Sequence, residues 1–119
     1  MPALRIEYYR STSGREPVRK FLDGLPVLDR ALCEQVIDYL RCGELDQRPR
    51  HRGYVADGIW ELRVTFRGVE YRILYVTQEG VSMLLHAFIK KTQETPKREL
   101  DLARHRIAEM KGGGYRDGQ

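Results

Sequence analysis

Two adjacent lysines, Lys90 and Lys91, end an almost unbroken apolar run in segment 84–96, LLHAFIKKTQETP. Lysine keeps strand ends soluble, so the pair can simply form a solvated rim of the core. Two neighbouring ammonium groups also attract anionic ligands such as phosphate. The choice between these interpretations depends on which other side chains lie beside the lysines.

Two arginines are predicted to face each other on neighbouring strands. A two-residue turn at 67–68 places Arg63 directly opposite Arg72, although like charges in this position repel. In one interpretation, the diagonal neighbours Glu61 and Glu70 neutralise both guanidinium groups in a surface network of little energetic value. In the other, these carboxylates hold the two guanidinium groups as a fork for phosphate.

The hydrophobic pattern supports this strand register. A shift of one residue would turn charged side chains into the core. In the predicted register, one face carries Trp60, Leu62, Val64, Phe66, Val69, Tyr71, Ile73 and Tyr75, and the other carries Glu61, Arg63, Thr65, Glu70 and Arg72.

The strand that ends in the lysine pair is apolar on both sides, which suggests an interior strand. A three-residue loop before it places His86, Phe88 and Lys90 on the arginine face, whereas a two- or four-residue loop places them on the core face. His86 is therefore either a core histidine or a site residue. Phe88 is either a core residue or a platform for a stacked base.

Further basic residues lie in the loop before the strands, in the run RPRHR. Arg48, Arg50 and Arg52 either extend the cationic patch or belong to a solvated loop. The net charge of +4 and the pI near 9.2 favour an anionic partner. Cations mixed with aromatic rings suit single-stranded RNA better than duplex DNA, so we predict RNA binding by Arg48, Arg50, Arg52, His86 and Phe88.

No common catalytic motif is present: the sequence has no HExxH, no GxSxG, no phosphate-binding glycine-rich loop and no plausible cluster of metal ligands. RNA cleavage requires none of these, because the ribose 2′-hydroxyl can attack its own phosphate. The protein must align the reacting atoms, accept a proton and stabilise the added negative charge. We therefore expect no metal and no cofactor.

The elements that carry these residues predict a single α+β domain. We predict a strand at 4–9, helices at 17–22 and 26–43, strands at 59–66, 69–77 and 81–90, and a last helix capped by Thr95 with Pro96 at its first position. The order β-α-α-β-β-β-α indicates a mostly antiparallel sheet with helices packed on one face. Residues 1–111 form the domain, and 112–119 form a flexible, glycine-rich tail.

Composition is that of an ordinary globular protein, with 119 residues, 41% hydrophobic and 32% charged. No apolar stretch reaches membrane-spanning length, and the first residues lack the apolar core of a signal peptide. We expect a cytoplasmic protein with no membrane contact. Cys33 shares a helix face with apolar residues and is predicted to be a buried free thiol.

The segments IWELRV, EYRILY and LLHAFIKKTQETPKREL, in this order, resemble the RelE/HigB-like toxins of type II toxin–antitoxin systems, in a phage-derived branch of the RelE/ParE superfamily. The resemblance covers most of the chain. It implies a RelE-like fold and an RNA endonuclease that cuts mRNA on the ribosome without a metal and inhibits translation. It also implies a cognate antitoxin, often a helix-turn-helix protein, as partner.

By motif, the resemblance implies catalytic roles for four cations. Arg72 acts on the scissile phosphate, Arg63 is a second phosphate contact, and Lys90 and Lys91 help to orient or activate the RNA. Several members of the superfamily have a catalytic tyrosine near the last helix, or a histidine or glutamate as base. Segment 100–110 holds no tyrosine here, so the base stays unassigned.

Two other functions remain open. One is a ParE-like, non-enzymatic inhibitor of DNA gyrase, which would share the fold and need only a binding surface. The other is an inactive protein that binds an antitoxin. The arginine pair and the lysine pair favour the nuclease.

Overall fold

The computed structural model describes residues 4–112. The elements form one compact α+β domain with a five-stranded mixed sheet. In chain order they are β1 (Arg5–Tyr8), α1 (Pro17–Asp23), α2 (Val27–Arg41), two short 3-10 helices (Leu45–Gln47 and Pro49–His51), β2 (Arg52–Ala56), β3 (Ile59–Phe66), β4 (Val69–Gln78), β5 (Val81–Lys90) and α3 (Lys97–Lys111).

The strands are arranged in the order β1-β5-β4-β3-β2. β1 pairs with β5 in parallel, and the other three pairings are antiparallel, so the mostly antiparallel sheet predicted from the sequence is confirmed. β5 lies inside the sheet between β1 and β4. This interior position explains why both of its sides are apolar.

The predicted hairpin between β3 and β4 is confirmed pair by pair. Arg67 and Gly68 both have positive φ, at 52° and 81°, as the tight turns that match the twist of a hairpin require. Phe66 pairs with Val69 across this turn, and three positions further along each strand Arg63 lies opposite Arg72.

One face of the sheet packs against α1 and α2. The apolar stripe of α2 lies on this face, with Cys33 fully buried and burial raising the pKa of its thiol to about 12. Tyr71 is buried on the same face, where its hydroxyl donates a hydrogen bond to Asp29 of α2. The main members of this core are Val18, Leu22, Cys33, Val36, Ile37, Leu40, Leu62, Val64, Tyr71, Ile73, Tyr75 and Leu84.

The prediction that all helices pack on one face is wrong, because α3 covers the opposite face. Ala103 of α3 is fully buried there, beside Leu100, Ile107 and Met110, which recur at helical spacing. Strands β4 and β5 place apolar side chains on both faces near their middle, so the second face also needs cover from water. Its strand residues include Ile59, Leu74, Met83, Leu85 and Phe88.

The predicted element order lacks one strand. Residues 52–56, expected to be loop, form the edge strand β2, which makes the order β-α-α-β-β-β-β-α. Asp57 and Gly58 connect β2 to β3 with φ values of 55° and 80°. An Asp-Gly pair is a strong hairpin signal. This short strand shows no clear alternation of apolar and polar residues, because position 53 is a glycine and Tyr54 is exposed.

A bulge, as well as the loop before β5, determines on which face of the sheet each side chain of β5 lies. Glu79 and Gly80 form a two-residue turn, which by alternation alone would place His86 on the face of α1 and α2. The register shifts by one residue between Tyr75, which pairs with Leu84, and Leu74, which pairs with His86. The extra residue returns His86, Phe88 and Lys90 to the arginine face.

The ends of α3 differ slightly from expectation. The helix starts at Lys97, one residue later than predicted, and Pro96 occupies the N-cap position that was predicted for Thr95. The hydroxyl of Thr95 donates instead to Glu61. Except for Gly112, the predicted tail lies outside the described residues. None of the helices within 4–112 has the length and apolar character needed to cross a membrane.

Candidate functional site: a basic cleft

An open cleft of about 880 Å³ lies where the β3–β4 hairpin meets the end of β5. All four cations that the sequence singled out contribute to it. The described residues that line it are Arg63, Gly68, Val69, Glu70, Arg72, Ile89, Lys90, Lys91, Thr92 and Gln93. Four cationic side chains and one carboxylate give the cleft a net positive charge. A smaller cavity of about 260 Å³, between α3 and the sheet, contains none of the predicted site residues.

Glu61 connects the elements beneath the cleft. Its side chain is only 4% exposed, and it lies on β3 between the two arginines. One carboxylate oxygen accepts a hydrogen bond from Arg63 Nε at 2.9 Å. The other lies 3.4 Å from Arg72 Nε and accepts a hydrogen bond from Thr95 at 3.1 Å. A single buried carboxylate therefore holds β3, β4 and the loop before α3 together.

Arg72 forms the floor of the cleft. It is 5% exposed, and its Nη2 lies 2.7 Å from a carboxylate oxygen of Glu70. Within residues 4–112, its buried Nε and Nη1 atoms have no hydrogen-bond partner. Buried guanidinium nitrogens are nearly always satisfied, because an unmade hydrogen bond in the interior is costly. Arg72 thus keeps donor capacity in reserve at the floor of a cationic cleft.

Arg63 reaches sideways over β2, and a glycine makes room for it. A Cβ atom at Gly53 would lie 2.1 Å from Arg63 Nη2 and 2.6 Å from its Cζ, so any larger residue would displace the guanidinium group. The carbonyl of Arg63 also accepts a hydrogen bond from His51 Nδ1 at 2.9 Å. Gly53 is a site residue that the sequence analysis missed, because it was assigned to a loop.

The lysines occupy the rim of the cleft. Lys90 is half-buried opposite Glu70, and Lys91 is exposed at the start of the loop 91–96. Neither lysine has an ion pair with another residue in the described part of the chain. Their ammonium groups are therefore available to an anion that enters from solvent.

His86 and Phe88 lie on the arginine face but beneath α3, outside the cleft lining. Phe88 is 6% exposed, and its ring stacks against the ring of His86 at 5.5 Å. His86 Nε2 lies 2.6 Å from Glu99 of α3, and Arg106 lies 3.5 Å from the other ring nitrogen. Burial lowers the pKa of His86, and the charge of Arg106 lowers it further, although Glu99 acts in the opposite direction. The neutral imidazole therefore fastens α3 to the sheet.

The three arginines of the basic loop are also outside the cleft lining. Arg52 pairs with Leu62 and so lies on the face of α1 and α2, where its Nη2 donates a hydrogen bond to Asp46 at 2.8 Å. Arg48 stacks over Tyr39 at 4.2 Å, and Arg50 is exposed. The structure thus brings the four predicted catalytic residues to one cleft, whereas none of the five predicted RNA-binding residues lines it. Phe88 is nevertheless the direct partner of Arg72 on the neighbouring strand.

Proteins bind metal ions with characteristic sets of ligand side chains. No group of three or more His, Cys, Asp or Glu side chains within 4–112 is arranged to hold a metal ion. The chemistry available to the cleft itself is that of guanidinium, ammonium and carboxylate groups, which suits the binding of phosphate esters.

Comparison with protein families yields one match. Residues 20–108 match the family model described as phage derived protein Gp49-like (DUF891). This range begins in α1, ends in α3 and contains every residue that lines the cleft. A search of curated proteins finds no match.

Proposed function

Because this chain belongs to the phage-derived Gp49-like (DUF891) family, a family known as toxin-like and RelE-type, we propose that it is the toxin of a type II toxin–antitoxin system. Its activity is that of a ribosome-dependent mRNA endoribonuclease that requires no metal and inhibits translation. Its partners are mRNA on the ribosome and a cognate antitoxin of the helix-turn-helix class. It acts in the cytoplasm, where ribosomes are found.

The observation that carries this proposal is the convergence of Arg63, Arg72, Lys90 and Lys91 on one cleft. Cations from three different strands repel one another, and Glu61 and Glu70 supply only two negative charges against these four positive ones. A phosphodiester in the cleft would offset the repulsion. Arg63 and the lysines can reach it directly, since they are exposed or half-buried.

Arg72 is suited to stabilise charge that develops during the reaction. Its guanidinium group is fixed by Glu61 and Glu70 and shielded from water, so its field is strong and needs little reorganisation. The unpartnered Nη1 is the atom we assign to a nonbridging oxygen of the scissile phosphate.

The residues outside the cleft have different roles in this proposal. The exposed Arg48 and Arg50 and the half-buried Arg52 contact RNA beyond the cleft, where cations add salt-dependent affinity. His86 and Phe88 act on RNA indirectly, because they hold α3 and the loop 91–96 in place.

The test is expression of the chain in bacterial cells, followed by mapping of transcript 5′ ends. Cuts that follow the codon phase of translated regions support the nuclease. Intact transcripts with DNA damage and supercoiling defects refute it and support a gyrase inhibitor. Intact transcripts with no growth defect refute both activities.

Arg63→Ala and Lys91→Ala test the cleft itself. Each should reduce cleavage by about 100-fold or more, as expected when a group that stabilises transition-state charge is lost. Arg98→Ala is the matched control, because it removes one positive charge from a side chain that is 87% exposed and does not line the cleft. Equal cleavage by all three variants would show that the cleft is not the catalytic centre.

A further inference from the structure

The proposed reaction needs a group that accepts the 2′-hydroxyl proton, and the cleft lining narrows the choice to one. Among the described residues that line the cleft, Glu70 carries the one carboxylate, and none carries an imidazole or a phenol. Arginine and protonated lysine cannot accept a proton, and a threonine hydroxyl is a poor acceptor. Glu61 does not line the cleft, and both of its carboxylate oxygens are already engaged by Arg63, Arg72 and Thr95.

The geometry of Glu70 is that of a positioned base. It lines the cleft with a side chain that is 42% exposed, and one carboxylate oxygen lies 2.7 Å from Arg72 Nη2. The second oxygen has no ion pair or hydrogen bond with any residue in 4–112. Glu70 is also directly opposite Lys90 and beside Arg63 across the hairpin, so a phosphate held by these cations would lie next to the free oxygen.

We propose that Glu70 is the general base of this site, an inference that depends on the endoribonuclease function proposed above. The free oxygen of Glu70 takes the 2′-hydroxyl proton while the 2′-oxygen forms a bond to phosphorus. The bond from phosphorus to the 5′-oxygen breaks, and that oxygen takes a proton from a lysine ammonium group of the cleft. The products are a 2′,3′-cyclic phosphate and a 5′-hydroxyl, and the proton on Glu70 returns to the lysine through solvent.

The experiment measures single-turnover cleavage of mRNA on programmed ribosomes by the full chain and by Glu70→Gln. Glutamine keeps an amide oxygen for Arg72 but cannot accept the proton. Its rate should fall about 100-fold or more, the usual contribution of a general base. Binding to the ribosome should stay equal or become tighter, because a negative charge has left a site for RNA.

The pH profile separates a base from a residue that only positions Arg72. If a carboxylate in the cleft accepts the proton, the cleavage rate of the unmodified chain should fall on the acidic side, and Glu70→Gln should lack this dependence. Glu70→Asp should retain it at a lower rate. Glu94→Gln is the control, because Glu94 is exposed on the loop 91–96 but does not line the cleft.

The outcomes are distinct for the two proposals. Absence of cleavage by the unmodified chain refutes the endoribonuclease function and this inference with it. Cleavage by Glu70→Gln at a rate close to that of the unmodified chain, or with the same acidic limb, refutes only the role of Glu70. A reduced rate caused entirely by weaker ribosome binding also refutes it, since that result assigns Glu70 to positioning.

Discussion

Glu61→Gln tests whether one buried carboxylate holds the cleft together. The substitution keeps the volume and shape of the side chain, so it creates no cavity. It removes the negative charge that lies 3.4 Å from Arg72 Nε and 2.9 Å from Arg63 Nε. The two arginines differ in burial, with side chains 6% and 40% exposed, so they will respond differently to the loss.

The expected loss of stability comes mainly from Arg72. Removal of one partner from a buried ion pair costs about 3–5 kcal/mol. Arg72 keeps its second partner, the Glu70 carboxylate, so we expect Glu61→Gln to cost about 3 kcal/mol through Arg72, near the lower end of this range. Arg63 adds less than about 1 kcal/mol because water can solvate it. For a domain of this size, each kcal/mol lowers Tm by about 4 °C, so we expect a decrease of about 12 °C.

A double-mutant cycle in urea gives the test. Glu61→Gln, Arg72→Met and the double variant are compared, and we expect a coupling of at least about 1.5 kcal/mol, since each residue alone leaves the other charge buried. Asp101→Asn is the control, because the Asp101 side chain is 45% exposed and water screens its ion pairs, so we expect little change in stability. Additivity of the two changes within about 0.5 kcal/mol would refute the proposed linkage.

Three further predictions concern single sites. Gly53→Ala should change stability by less than about 1 kcal/mol, because only the flexible end of Arg63 must move, but lower cleavage by about 10- to 100-fold through displacement of that guanidinium. Mass spectrometry after alkylation of the folded protein should show one adduct, on exposed Cys42, since burial raises the pKa of Cys33 to about 12; a second adduct before unfolding would contradict this. Burial lowers the pKa of His86 below the reference of about 6.5, so the unfolded chain binds a proton at this residue more readily than the folded chain does. The free energy of unfolding should therefore decrease as the pH drops from about 7 to 5. Urea midpoints for His86→Gln should show less of this decrease, and an unchanged decrease would contradict the assignment.

The β3–β4 hairpin could be predicted from sequence because two independent signals agree there. Arg67-Gly68 suits the positive φ values of a tight turn, and the alternation of charge and apolar residues allows only one register. The turn residues and the burial pattern therefore predict the same residue pairs, including Arg63 with Arg72. The cations of the cleft follow directly from this register and from the end of β5.

The elements that the sequence analysis missed depend on tertiary contacts. β2 is an edge strand with little buried surface, so its period is weak, and only the Asp57-Gly58 turn marks it. The face of β5 depends on a bulge at Leu85, which no loop length indicates. A helix with one apolar stripe, such as α3, can pack on either side of a sheet. Only the apolar character of both faces of β5 indicates which side α3 covers.

The two interpretations of the arginine pair turn out to be compatible. Glu61 and Glu70 do neutralise the guanidinium groups, as the charge-ladder interpretation requires. Because Glu61 is buried, however, it also holds Arg72 away from water, and that burial leaves two guanidinium nitrogens without a hydrogen bond to any residue in 4–112, although Nε lies in ion-pair range of Glu61. A surface ladder would leave those atoms to the solvent. The carboxylates therefore maintain an incompletely satisfied cation at the floor of an open cleft, which is the arrangement that an incoming phosphate would complete.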